Sequence, residues 1–201
     1  MPNRIILPFT VLLLASQAYA ADPGSFRLKM DDQHMLVSSF TMEKYLPENA
    51  RKIASEGVTA VTVNQGICWT VRKPVERSWF IENSSGAGEN QNADTSMRFI
   101  TGFFMDLIRG DYDSVKKNFR ISISQKDHEN GEIYLHPEDA DLSRILDLIS
   151  ITVKSGFVSS IRIIEKAGGS TSIVFSGAEL ASMPERPMSE YCDAPDRTDR
   201  K

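Results

Sequence analysis

The sequence predicts an α+β domain built on a single antiparallel sheet. Three observations carry that expectation. Phe119, Ile121 and Ile123 alternate with Arg120, Ser122 and Ser124, the period of a half-buried strand. Asn130-Gly131 and Gly168-Gly169 are two-residue hairpin signals beside apolar runs. Ahead of these strands, residues 95–119 carry the clearest helical pattern in the chain.

The elements follow in order. Residues 30–54 read as helix, with Met35, Leu36, Phe40, Met42 and Tyr45 apolar and Pro47 dividing it into two pieces. Gly57 stops it. Residues 58–63 are rich in β-branched side chains, Asn64-Gln65-Gly66 is a turn, and residues 67–71 resume as strand until Pro74. Residues 76–82 read as a further strand, and the Gly/Ser/Asn-rich residues 83–94 as an exposed loop. Thr95 or Ser96 is placed to cap the helical region, and Gly110-Asp111 breaks it in two. After the 119–123 strand, residues 133–135, 146–154, 158–166 and 170–175 read as strands, with polar residues 137–143 between the first two of these.

The chain has 201 residues. Its first twenty have the parts of a secretory signal peptide: Arg4, an apolar run over residues 5–15 broken only by Pro8 and Thr10, and the small-x-small site Ala18-Tyr19-Ala20. The run is shorter than the ~20 residues that span a bilayer. Residues 1–20 are therefore expected to be removed on export, residues 21–181 to form one domain, and residues 182–201, with three prolines and many charges, to be a flexible tail. The whole chain carries a net charge of −4, and loss of Arg4 with the signal leaves −5. Mildly acidic, interspersed charge excludes the electrostatic footprint of a nucleic-acid binder and a polybasic lipid patch. Export permits a disulfide between Cys68 and Cys192, yet Cys192 sits in the polar tail, so the pair reads equally as bridged or free.

No catalytic constellation stands out, and neither a metal nor a cofactor is expected. The chain has no Gly-x-Ser-x-Gly, no phosphate loop and no His-Glu-x-x-His. His34, His128 and His136 each read as solvated, beside charges or at a strand end. Excess apolar surface stands out instead. On a helical wheel Met97, Phe99, Ile100, Phe103, Phe104, Met105, Leu107 and Ile108 span an arc of about 240°, where docking on one side needs only about 100°. The surplus fits either a helix sandwiched in the core or one that docks with one flank and faces a removable apolar ligand with the other. Met30, Met35, Met42, Met97 and Met105 all fall on expected helices, and thioether side chains adapt to varied apolar shapes.

Several segments resemble the periplasmic carriers of outer-membrane lipoproteins, the LolA-like proteins. These are Phe40-Thr41-Met42-Glu43-Lys44, Ser55-Glu56-Gly57, the run from Gln65 through Gly66, Trp69, Arg72 and Lys73 to Pro74, Leu107-Ile108-Arg109-Gly110-Asp111 with Phe119, Tyr134-Leu135-His136-Pro137, and residues 161–175. Their order and spacing, over most of residues 36–177, carry the likeness. The chain departs from the family where Met42 replaces a common Gln, and where Lys73, preceded by Arg72, replaces the functional Arg before the Pro.

The resemblance implies an open, incomplete antiparallel β-barrel with a helical lid over an apolar cavity. It implies a monomeric, non-enzymatic chaperone-like carrier that moves acyl chains through the periplasm from an inner-membrane donor to an outer-membrane acceptor. On that reading Trp69, Val71, Trp79 and Phe80 are the cavity walls, Met97, Ile100, Phe103, Phe104 and Leu107 the lid, and Arg72 and Lys73 the residues that close it. The alternatives are a periplasmic sensor or regulatory domain on the same scaffold and a carrier of a different lipid-like product.

Overall fold

The computed structural model describes residues 28–82 and 95–192, the side chains of 95–101 excepted. Nine strands form one antiparallel sheet. Its first half contains β1 (His34–Leu46), β2 (Arg51–Thr62), β3 (Gly66–Lys73) and β4 (Arg77–Glu82). Two helices follow, α1 (Thr95–Arg109) and α2 (Tyr112–Lys116). The second half contains β5 (Phe119–Gln125), β6 (Gly131–Pro137), the short α3 (Leu142–Ile145), β7 (Leu146–Lys154), β8 (Phe157–Glu165) and β9 (Ser170–Ser182), and α4 (Met188–Cys192) comes last. The spatial order is β4-β3-β2-β1-β9-β8-β7-β6-β5. The edge strands β4 and β5 do not pair, so the sheet stays open, and the connection between them carries α1 and α2 from one edge to the other.

The expected strands after residue 57 and the two-part helical region agree with these elements. Gly110, at φ 72, ends α1 with its N–H on the Leu107 carbonyl, and the Asp111 carboxylate accepts from the Ser114 N–H to cap α2. The expected helix over residues 30–54 is instead β1 and β2, joined by a 3-10 turn at Pro47–Asn49 that Ala50 closes at φ 52. Met35 and Met42 therefore lie on a strand, and the reading of the methionines as a helical set is corrected. The local sequence mixes helix formers such as Met35, Leu36, Met42, Glu43 and Lys44 with β-branched and aromatic residues, and β1 pairs with β2 on one side and β9 on the other, for example Phe40 with Gly57 and with Phe175. Two ladders of long-range hydrogen bonds outweigh propensity differences of a few tenths of a kcal/mol per residue.

The main core lies on one face of the sheet. Phe103, Phe104, Met105, Leu107 and Ile108 of α1 pack with Phe40, Val61, Ile67, Trp69 and Val71 from the first half and with Phe119, Leu135, Ile149, Ile151, Ile161 and Ile173 from the second. Gly57 lets β2 and β3 come together: a Cβ there would stand 1.9 Å from the Thr70 carbonyl oxygen and 2.9 Å from the Phe40 ring. A smaller cluster occupies the other face, where Met35, Ala60, Cys68, Met188 and Cys192 are buried with Phe80 packed beside them.

That second cluster settles the cysteines. Cys68 and Cys192 form a disulfide with their Cα atoms 5.5 Å apart. The tail expected from residue 182 is held to the sheet as far as residue 192: Ser182 ends β9, and α4 packs against β3 and β4. Met188 and Cys192 lie one helical turn apart on the same side of α4, and the Met188 N–H donates to Gln65 Oε1 at 2.8 Å. Residues 1–27, 83–94 and 193–201 lie outside the described residues, and with them the expected signal peptide and the expected exposed loop.

Candidate functional site

β-Strand alternation places the side chains of the site. On β1, Leu36, Ser38, Phe40 and Met42 face α1, while Met35 and Val37 face away. On β2, Thr59 and Val61 face α1. On β3, Ile67, Trp69 and Val71 do so, and Cys68 faces away. The same rule separates two neighbours on β4: Trp79 packs on the main core and Phe80 on the opposite face. Phe80 is thus removed from the expected cavity wall, because adjacent strand residues cannot share a face.

An apolar pocket lies between the C-terminal half of α1 and the centre of the sheet. Phe104 and Ile108 form its helix side. Leu36, Val61, Ile67, Trp69 and Phe175 form its sheet side, and Ser38 and Thr59 supply its two hydroxyls. Leu28 and Met30 and the turn at Gly156-Phe157-Val158 make the rim. No charged residue lines it among the described residues. The cavity volume is about 20 Å³, room for about one water molecule. The rim segment is lightly held. The Lys29 N–H donates to the Gly156 carbonyl at 2.8 Å, and the Lys29 ammonium meets Glu129 at 2.9 Å in an exposed pair.

Of the expected site residues, Trp69 and Phe104 line this pocket. Val71 and Leu107 are buried in the same core away from it, and Phe103 packs edge-on against Phe119 with ring centroids 5.6 Å apart. The side chains of Met97 and Ile100 lie outside the described residues. Arg72 is exposed, and the Lys73 ammonium pairs with Glu56 at 2.6 Å. Lys73 lines an open groove with Thr41, Glu43 and Val174, which alternate with core residues and so face away from α1. The sequence reading missed Ile108 as a pocket wall, although it lies on the same arc as Phe104. It also missed Leu36 and Ser38, which it placed on a helix, and Thr59 and Val61, which lie on the strand that the turn at residues 64–66 joins to the strand of Trp69.

Two carboxylates flank the end of α1. Burial pushes the Asp106 carboxyl above the ordinary range, opposed by the Arg109 guanidinium 3.7 Å away and reinforced by Asp111. The Ser114 hydroxyl and N–H hold the Asp111 carboxyl below the ordinary range. Among the described residues no group of three or more His, Cys, Asp or Glu is placed to hold a metal ion, and no helix is long and apolar enough to cross a membrane. His34 hydrogen-bonds Asp31 at 2.8 Å at the exposed start of β1.

No family model and no curated protein matches this sequence. Solved structures do. A LolA superfamily protein from Nitrosomonas europaea is 11% identical, over 81% of this chain and 91% of that one, with a TM-score of 0.39. MucB in its complex with MucA, from Pseudomonas aeruginosa, is 8% identical over 78% of this chain, with a TM-score of 0.44, and the match spans only 55% of the MucB chain. A domain assigned to outer-membrane lipoprotein sorting, from Vibrio parahaemolyticus, is 9% identical over 76% of this chain and 87% of that one, with a TM-score of 0.33. The chain is similar to members of the family that residues 36–177 resemble, and at TM-scores below 0.5 its function has to be argued from its own residues.

Proposed function

We propose that this chain is a non-enzymatic carrier that binds acyl chains between α1 and the sheet. The observation that carries the reading is the uncharged pocket beneath Phe104 and Ile108. The signal-like first twenty residues and the disulfide fit an oxidising compartment outside the cytoplasm, and the family resemblance points to the periplasm, with membrane-bound donors and acceptors at either side.

The pocket is small, so cargo has to open it. Burial contributes about 0.8 kcal/mol per CH₂, or about 10 kcal/mol for a twelve-carbon chain. Swinging Phe104 and Ile108 back into water costs roughly 1.5–3 kcal/mol each. Short chains then fail to offset the opening and long ones exceed it, which gives a threshold in chain length. Leu28 and Met30 form the more easily displaced wall: they are only partly buried against the core, and among the described residues one backbone hydrogen bond and one exposed ion pair tie Lys29 to the β7–β8 and β5–β6 turns.

Displacement of a fluorescent acyl probe by a series of eight- to sixteen-carbon esters tests the reading. Affinity should climb about fourfold per methylene until the opened site is filled. Absence of binding, or affinity independent of length, would refute it. Native mass spectrometry of the protein drawn from its own compartment gives a second readout. A lipid adduct supports the carrier, and a stable protein partner without lipid supports the sensor or regulatory alternative.

A further inference from the structure

Three residues at the rim of the pocket are held differently from the rest of its wall. The Met30 N–H donates to the Leu28 carbonyl at 2.9 Å and closes a three-residue turn with Lys29 at its tip. Leu28 and Met30 line the pocket, so the flanks of this turn are apolar and its tip carries the charge. The tip is fastened to two other turns. The Lys29 N–H donates to the Gly156 carbonyl at 2.8 Å, and the Lys29 ammonium meets Glu129 at 2.9 Å with both side chains 47% exposed. The Lys29 methylenes lie against Gly156, where a Cβ would stand 2.5 Å from Lys29 Cγ. The receiving side is braced. The Gly156 N–H donates to the Glu129 carbonyl at 2.9 Å and the Ser155 N–H to Asn130 Oδ1 at 3.0 Å, while Asp127 Oδ1 accepts the N–H groups of Glu129 and Asn130, each at 2.9 Å. On the far side of the rim turn, Asp31 Oδ1 accepts the N–H groups of Gln33 and His34, each at 2.9 Å, and fixes the chain where β1 begins.

We infer that Leu28–Met30 is a latched plug: it swings out about Asp31 to admit cargo, and the Lys29–Glu129 ion pair sets how often it does so. The inference rests on the acyl-binding reading and adds the control of entry to the same site. The other walls hold more firmly. Phe104 and Ile108 belong to a fifteen-residue helix packed against both halves of the sheet, and the sheet side of the pocket is tied strand to strand. Opening the plug breaks, among the described residues, one backbone hydrogen bond and one exposed ion pair, and it moves two partly buried side chains. The ion pair is the adjustable member of that set, because exposed pairs are weak and are screened by salt. If only the open form admits cargo, the apparent affinity follows the open fraction, so loosening the latch tightens binding. A residue that merely supported the fold would act in the opposite sense.

Two readouts on the whole, disulfide-bonded protein test the plug. Trypsin cleavage after Lys29 reports opening without any ligand, since the protease has to draw that residue away from Gly156 and Glu129. Stopped-flow uptake of N-dodecyl dansylamide, an uncharged probe, reports entry. Glu129→Gln should speed both about two- to fivefold, raise the affinity by the same factor and leave the release rate unchanged. Salt at about 0.5 M should carry the wild type to the variant's values and leave the variant where it was. Lys52→Gln breaks another exposed pair, with Glu43 at 2.8 Å, and should alter neither readout nor the response to salt. Faster cleavage with unchanged uptake overturns the inference, because the segment then frays without gating anything. No change in either readout overturns it as well. If Glu129→Gln does not fold, the salt series on the wild type decides. A wild type that takes up no probe refutes the acyl-carrier reading and leaves the plug nothing to admit, whereas uptake that ignores both latch and salt sinks the plug alone.

Discussion

Phe103 and Phe104 are adjacent on α1 and equally buried at 6% exposure, yet they stand in different surroundings. Phe103 meets the Phe119 ring edge-on, inside a fully packed part of the core. Phe104 borders the pocket, with Leu28 and Met30 on the rim. Cutting a core Phe to Ala costs about 3–5 kcal/mol, and Phe103→Ala should fall in that range, with about 0.5–1.5 kcal/mol of it from the lost aromatic pair. Phe104→Ala removes the same atoms, roughly 100 Å³ of side chain, whose unrelieved cavity would contribute about 2.4 kcal/mol at ~24 cal/mol per Å³. The lightly held rim residues can collapse into that space and relieve most of the cavity contribution. The expected cost is then about 1–2.5 kcal/mol, read from urea midpoints at constant m. Acyl ligand sharpens the contrast. At one hundred times Kd it stabilises by about 2.7 kcal/mol. Phe104→Ala should respond more strongly than wild type, since its pocket is already open, and Phe103→Ala should respond as wild type does. Equal losses in the two variants, with ligand restoring neither, would show that α1 is ordinary core and that the pocket is an incidental packing gap.

Reduction of the disulfide, or Cys68→Ser with Cys192→Ser, should lower stability by about 5 kcal/mol in the chain-entropy account for a sequence separation of 124, and denatured, unreduced protein should show no free thiol to a labelling reagent. Gly57→Ala should cost about 3 kcal/mol or more, because its Cβ would lie 1.9 Å from the Thr70 carbonyl oxygen; a variant with an unchanged urea midpoint would contradict the close approach of β2 and β3. Asp106 has a folded-state pKa raised by burial, so the stability linked to its neutral form is present below the ordinary carboxylate value and lost as pH rises through the raised one. Asp106→Asn should therefore raise the melting temperature at pH 7 and leave it unchanged at pH 3; a variant that is destabilised at pH 7 would show that the Arg109 ion pair outweighs burial.

What the sequence determined alone was whatever local pattern can specify. Alternation at Phe119 to Ser124, the glycine pairs and turns, and the broad apolar arc of α1 each depend on residues within a few positions of one another, and each was legible. The Gly110-Asp111 break was legible for the same reason, since a left-handed glycine and an acidic cap act on their own turns. Only the tertiary structure decided the rest. Residues 34–46 are strand because they pair with residues 51–62 and, far along the chain, with residues 170–182, and no window around Met35 or Met42 contains those partners. Alternation says that Trp79 and Phe80 take opposite faces but not which face meets the helix; the placement of α1 across the sheet makes that choice. The cysteines were legible as a possible pair and became a bridge only through the apolar patch of Met35, Ala60 and Phe80 that receives Met188. The pocket itself arises where α1, four strands, the β7–β8 turn and residues 28–30 fail to fill the last space between them, and a misfit of that kind is a property of packing with no local signature in sequence.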